Sequence, residues 1–276
     1  MTRKRHIRTL TATVLIALAA VALSPDASAL KIKFKRTEKP KTDLAQWADS
    51  ASLPSADSHG RPIFYPVNKA DADSAATVTC TLEAGGLPAD KIFFAALVYA
   101  VDNLNEESQE QIVSTDYPSR TFTILLHSTQ GSSSSETTHN RSITVTALDG
   151  KIQCTTDGIS VRYREKGLIP RTVQLDKLHP ESNDRHKGLV TEFSQVNSAY
   201  VHDMAAYAAT RSDISVTHIP EIRDGKAAEG MTTDEVKLAK GLPLETRKSG
   251  SRLRWIYGND DIIVFTDGKV SRIIGD

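Results

Sequence analysis

Apolar residues recur along this chain at two periods, and the switches between them lay out its elements. Ile92, Phe93, Ala96, Leu97, Ala100, Val101 and Leu104 fall at 3.6-residue spacing. They predict a helix that Leu87-Pro88-Ala89-Asp90 opens, with proline tolerated in the first turn. Leu189, Phe193, Val196, Tyr200, Met204 and Tyr207 form a second stripe and predict a second long helix. Elsewhere the period is two. Strands are expected over 77–82, 111–117, 121–127, 141–148 and 151–156. Gly85-Gly86 ends the first. Pro118-Ser119 and Asp149-Gly150 supply turns, and 159–164 continues the last strand past Gly158 as a bulge. The stretch 130–138, with Ser132 to Ser135, reads as a polar loop. The order β-α-β-β-β-β-α specifies an α+β fold: an antiparallel sheet with two helices on one face, burying both stripes at once.

The end of the chain repeats this grammar on a smaller scale. Thr232-x-x-Glu235 is a capping box. Gly241 suits a left-handed helix end, and Pro243 stops continuation. Along 252–257, Leu253, Trp255 and Tyr257 share one face, and Arg252, Arg254 and Ile256 the other. Asn259-Asp260 follows Gly258 in a turn. The strand 262–265 is apolar at every position, so it is expected to be covered on both sides. Asp267-Gly268 is a hairpin signal that leads to a strand over 270–274. Residues 230–276 thus form one helix and a meander, a core too small for independent stability, so docking on the first domain or on a partner is expected. The stretch 212–229, with Gly225 and Ala227-Ala228, reads as a flexible join, with 214–216 as a candidate edge strand.

These residues carry two resemblances. Gly230-Met231-Thr232, Glu235-Val236, Gly241-Leu242-Pro243, Trp255-Ile256-Tyr257 and 265–270 (FTDGKV) resemble the SmpA/OmlA (BamE-like) family of outer-membrane assembly lipoproteins and their periplasmic relatives. The resemblance implies a module that binds other proteins and carries no catalytic centre. Such modules usually have a second helix, and only one is legible here. Over 76–209, Leu97-Val98-Tyr99, Ile143-Thr144-Val145, Asp149-Gly150-Lys151, Val161-Arg162-Tyr163 and 193–200 resemble a family of secreted Bacteroidetes domains of unknown function with a TATA-binding-protein-like fold. That implies a topology and no role with DNA.

The N-terminus adds a compartment. Arg3, Lys4, Arg5 and Arg8 precede an apolar run over 10–23, and Ala27-Ser28-Ala29 is a small-x-small cleavage signal. Together they read as a secretory leader cleaved near Ala29, with no following cysteine to carry lipid. The full chain has formal charge +0, with 34 basic and 34 acidic residues. Loss of four cations and Asp26 leaves about −3, so no general attraction to nucleic acid is expected. Domain bounds follow: leader 1–29, basic tail and linker 30–62, α+β domain 63–211, join 212–229, module 230–276. In the tail, Lys31, Lys33, Lys35 and Arg36 are the candidate contact with an anionic membrane, and a solvated tail is the plainer reading.

Candidate chemistry is sparse. Cys80 and Cys154 lie in strands of one domain, and export permits either a disulfide or two buried thiols. His179, His186, Glu181 and Asp184 share a loop but match no metal spacing, so neither a metal nor a cofactor is expected. No Gly-x-Ser-x-Gly elbow, phosphate-cradling loop or Cys-x-x-Cys occurs. Arg252, Arg254, Trp255 and Tyr257 make a candidate protein-binding surface, because Trp, Tyr and Arg dominate interface hot spots. The alternative is that Trp255 is core. The expectation is an exported, non-enzymatic protein that binds another envelope protein. A proteinaceous enzyme inhibitor is the alternative, and a hydrolase with an unrecognised site is a third.

Overall fold

The computed structural model describes residues 53–66, 76–105, 109–131, 136–164, 169–178, 183–258 and 261–275. The leader, the basic tail with Lys31, Lys33, Lys35 and Arg36, Ser132 to Ser135, His179, Glu181 and the Asn259-Asp260 turn lie outside the described residues. The chain is a mixed α/β protein with antiparallel sheets.

The larger sheet is built from β1 (Val78–Glu83), β2 (Gln111–Asp116), β3 (Thr121–Gln130), β4 (Thr137–Leu148), β5 (Lys151–Tyr163) and β6 (Arg171–Gln174). Its order is β1-β5-β4-β3-β2, with β6 also on β5. Alternation divides its faces. Phe122, Ile124 and Leu126, Ile143, Val145 and Ala147, and Ile152 and Cys154 point inward and are buried. The opposite face is lined by hydroxyls. Thr79, Thr155, Thr144 and Thr123 stand in one row across four strands. Threonine suits a pleated surface of which one side stays wet.

Helices α1 (Ala89–Asp102) and α2 (Asp184–Thr210) cover the inward face and meet through Tyr99, whose ring contacts Tyr200 and Tyr207. The β4–β5 turn also starts α1, since Asp149 Oδ1 accepts the Ala89 N–H at 2.9 Å. Gly85 sits at φ +74 with Ala209 O only 2.9 Å from where a Cβ would stand. Both the conformation and the close approach of α2 require glycine there.

Three features depart from the pattern-based expectation. β4 begins at Thr137 rather than at 141, because its inward positions Thr137, His139 and Arg141 are polar yet buried. β6 and the 3-10 turn Leu175–Lys177 occupy a stretch with no strong period, and bury Leu175 and Leu178. The join over 212–229 has no strand at 214–216. It buries Ile214 and contains α3 (Ile219–Arg223), whose Ile222 enters the core of the C-terminal module. A second helix therefore precedes the one legible in the sequence.

The module comprises α4 (Thr233–Lys240), β7 (Glu245–Ser249), β8 (Arg252–Ile256), β9 (Ile262–Thr266) and β10 (Lys269–Ile274), in sheet order β10-β9-β8-β7. Strand β7 is polar and exposed at all five positions, so no alternation marks it. Met231, Val236, Trp255, Ile263, Phe265 and Val270 form the module's core with Ile222. The hairpin turn has Asp267 at φ 52 and Gly268 at φ 80, the positive pair that a type I′ turn needs. Gly241 ends α4 at φ 76, ψ −159, a region open essentially to glycine alone and distinct from the expected left-handed helical one.

The module is docked on the rest of the chain. Tyr117, Val216 and Leu238 contact both its core and the core under α1. Lys237 pairs with Asp102 at 2.6 Å, and Arg211 with Asp234 at 2.5 Å. The central clasp is Glu235, 1% exposed. Its Oε2 accepts the Thr232 N–H at 2.8 Å, closing the capping box. Its Oε1 reaches across to the join, accepting the N–H groups of Thr217 at 2.6 Å and His218 at 3.1 Å. His218 Nδ1 lies 3.0 Å from the same oxygen. One carboxylate thus caps its own helix and fixes the incoming segment.

Candidate functional site

The module's sheet has a closed side and an open one. Leu253 and Trp255 of β8 and Tyr257 just beyond it, with Ile263 and Phe265 of β9, face the core. Trp255 is 6% exposed, its ring edge-on to Phe265 at 4.8 Å. Tyr257 Oη donates to Gly241 O at 3.0 Å, and burial pushes its phenol well above the ordinary range. Trp255 is closed to a partner, and Tyr257 is half-buried with its hydroxyl engaged. Arg252 and Arg254 point the other way and are exposed. The structure thus splits the four candidate residues: two on the surface, two in the core.

Strand β9 is covered on one side only, contrary to the expectation from its apolar run. Ile262 and Val264 floor an open groove of about 440 Å³ walled by Arg252 and Arg254 on one flank and Arg272 on the other. Thr266, Ser271 and Ile274 complete it. Across the sheet Arg247, Arg254, Val264 and Arg272 lie in one row of register. Arg247 is paired with Glu245 of its own strand at 2.6 Å. No described carboxylate lies within ion-pair distance of Arg252, Arg254 or Arg272.

Arg272 escaped sequence analysis for a definite reason. Counting back from the Asp267-Gly268 turn, Thr266 pairs with Lys269 and Phe265 with Val270, which would place Arg272 opposite Ile263, facing the core. The strand slips between Val270 and Arg272, so that Arg272 pairs with Val264 instead. The bulged Ser271 bonds Thr266 Oγ1 at 3.0 Å and Val264 O at 3.2 Å. A bulge of this kind re-aims a side chain to the opposite face. β10 is also shielded along its far edge, where Gly230 N–H donates to Val270 O and Val270 N–H to Met231 O. A smaller cleft, about 220 Å³, lies between Val101 of α1, Leu104 just beyond it and the loop 241–244, beside the 76%-exposed Leu244.

Inside the larger domain, a polar layer separates β4 from α2. Arg141 is 2% exposed. Its Nη1 donates to Ser128 Oγ at 2.6 Å, and its guanidinium carbon sits 5.9 Å from the Tyr200 ring centroid. Burial pushes this guanidinium down to about 10. His139 packs on Phe193, with Glu192 Oε1 at 3.4 Å. Asn197 Oδ1 accepts from Thr156. His139, Arg141, Thr156 and Asn197 are buried in this layer, and Glu192 reaches its half-exposed edge.

Cys80 and Cys154 are direct partners across the β1–β5 pair and both are buried, with their sulfurs unbonded in this structure. Asp184 and His186 belong to the first turn of α2, where Asn183 Oδ1 accepts the Arg185 and His186 N–H groups. Among the described residues, no group of three or more His, Cys, Asp or Glu side chains is placed to hold a metal ion. None of the described helices is long and apolar enough to cross a membrane.

No protein-family model matches the chain, and no curated protein does. Two solved structures are similar to it. A DUF4468 family protein from Bacteroides ovatus is 17% identical, covering 53% of this chain and 92% of that one, with a TM-score of 0.39. A TBP-like protein from Parabacteroides distasonis is 12% identical, covering 49% and 95%, with a TM-score of 0.41. At these values the likeness assigns no activity.

Proposed function

We propose that this chain is an exported, non-enzymatic protein of the cell envelope whose C-terminal helix and meander bind another protein. The observation that carries the proposal is the one-sided sheet: packed behind Trp255 and Phe265, open over Val264, and rimmed by three arginines without described carboxylate partners. Arginine is enriched at protein interfaces and among their hot spots. The resemblance to BamE-like modules and the leader pattern support the same reading. A photoreactive amino acid at Val264, activated in intact cells, tests it. The expected product is a discrete protein adduct that is lost when Arg254→Glu is added. The same probe at Thr144, on the threonine face, is expected to capture nothing discrete.

Export also bears on the cysteines. Directly opposed residues of an antiparallel pair have Cα atoms about 4.5–5.5 Å apart, within the range a disulfide spans. We propose that Cys80 and Cys154 are bonded in the exported protein. Thiol titration under denaturing conditions is expected to find no free thiol in protein recovered after export and two in protein retained in a reducing cytoplasm. Two free thiols in the exported form would refute the bond.

A further inference from the structure

We infer that the groove over Val264 receives an acidic, extended polypeptide segment. The inference rests on the protein-binding reading above and specifies the partner's chemistry.

The argument begins with spacing. Arg252 and Arg254 are two residues apart on β8 and leave the sheet on the same side, so their stems stand roughly 6.5–7 Å apart along the strand. An extended ligand repeats its side chains at the same interval, so acidic residues at alternate positions meet both arginines in turn. Arg272 lies two strands away, beyond Val264, roughly 9.5 Å across the sheet. That separation leaves a channel between two cationic walls, with Ile262 and Val264 as its floor. Its width admits one backbone.

Charge selects the occupant. Guanidinium groups match carboxylates in a bidentate fork, and those hydrogen bonds are among the strong ones. Arg252, Arg254 and Arg272 have no such partner among the described residues. Arg247, next in the row, is held only by exposed Glu245, a pairing of little worth that an incoming carboxylate can exchange. Of the described acids beside the groove, Asp261, next to Ile262, is paired with Lys240 at 2.8 Å, and Asp267 stands at the turn between β9 and β10. The chain as a whole is not cationic, so attraction for acidic ligands is local to this face. The channel is concave with an aliphatic floor, and among its described lining residues only Ile274, 39% exposed, is a large exposed apolar side chain, too little for insertion into a bilayer, which favours a polypeptide over a lipid surface.

Purified full-length protein tests the inference with three probes. They are a labelled peptide alternating glutamate with valine, the same peptide with lysine in place of glutamate, and vesicles of phosphatidylglycerol in phosphatidylcholine. The glutamate peptide is expected to bind and the lysine peptide not to, with affinity falling as salt is raised. Arg254→Glu is expected to weaken binding by about tenfold or more. The double variant Arg252→Gln, Arg272→Gln is expected to act in the same direction, with an unchanged melting temperature in both. Equal binding of the two peptides, indifference to Arg254→Glu, or binding of vesicles without binding of the glutamate peptide would overturn the inference. If the glutamate peptide fails while the Val264 probe still captures a protein, the acidic partner is refuted and the protein-binding reading stands. If both fail, both fall.

Discussion

Replacing Glu235 with alanine lowers the stability of the chain by about 3–5 kcal/mol. The substitution strips the acceptor from the N–H groups of Thr217, His218 and Thr232 at once. These are part-buried donors on a charged acceptor, and a hydrogen bond to a charged group contributes about 1.5–3 kcal/mol. Burial alone raises the Glu235 carboxyl, but the amides of Thr217 and Thr232 and the His218 side chain outweigh it and hold the group down to about 2. A carboxylate whose value falls on folding stabilises the native state above its unfolded value, near 4.5, and loses that contribution as pH falls toward 2. Wild-type protein and Glu235→Gln should therefore differ most at neutral pH, and their stabilities should converge between pH 4.5 and 2. Urea denaturation at a series of pH values reads this directly. A gap that stays constant down to pH 2 would show that the clasp is not the source.

Trp255→Ala is expected to cost about 3–5 kcal/mol, as large aromatic truncations in cores do. The ring fills the space between Phe265 and the join, and at 6% exposure has no solvent to fall back on. The neighbouring Arg254→Ala should change stability by no more than about 0.5 kcal/mol, because its side chain stands in water. The two adjacent positions thus separate folding from binding. Were Trp255 an interface anchor, its removal would leave the melting temperature near wild type and abolish capture at Val264.

The elements that carry apolar periodicity were legible in the sequence. The stripes from Ile92 to Val101 and from Leu189 to Tyr207 are α1 and α2, with Leu104 just past the end of α1, and the capping box at Thr232 and Glu235 opens α4. Elements whose inward positions are polar, or that have no inward side, were hidden. β4 starts four residues before the expected 141 because its earlier inward positions, Thr137 and His139, are polar yet buried. β7 presents nothing to a core and so left no trace. α3 is five residues long, too short for a period, and is marked by Ile222, which is buried in the module's core. Half of the candidate surface was found, since alternation along 252–257 separates arginines from aromatics without saying which side is wet. The burial of Trp255 decides it. Arg272 required the slip at Ser271, which no composition announces.

That slip and the clasp belong to one arrangement. Glu235 fixes the join to α4, and α3 on that join puts Ile222 against the closed side of the sheet. The open side is therefore held in place by contacts remote from it. Destabilising the clasp should loosen the groove without touching an arginine.

The most direct test of the whole account is photocrosslinking from Val264 in intact cells. The account predicts one discrete protein adduct, lost with Arg254→Glu and absent when the probe stands at Thr144. No protein adduct at Val264, or one that persists unchanged with Arg254→Glu, would contradict it.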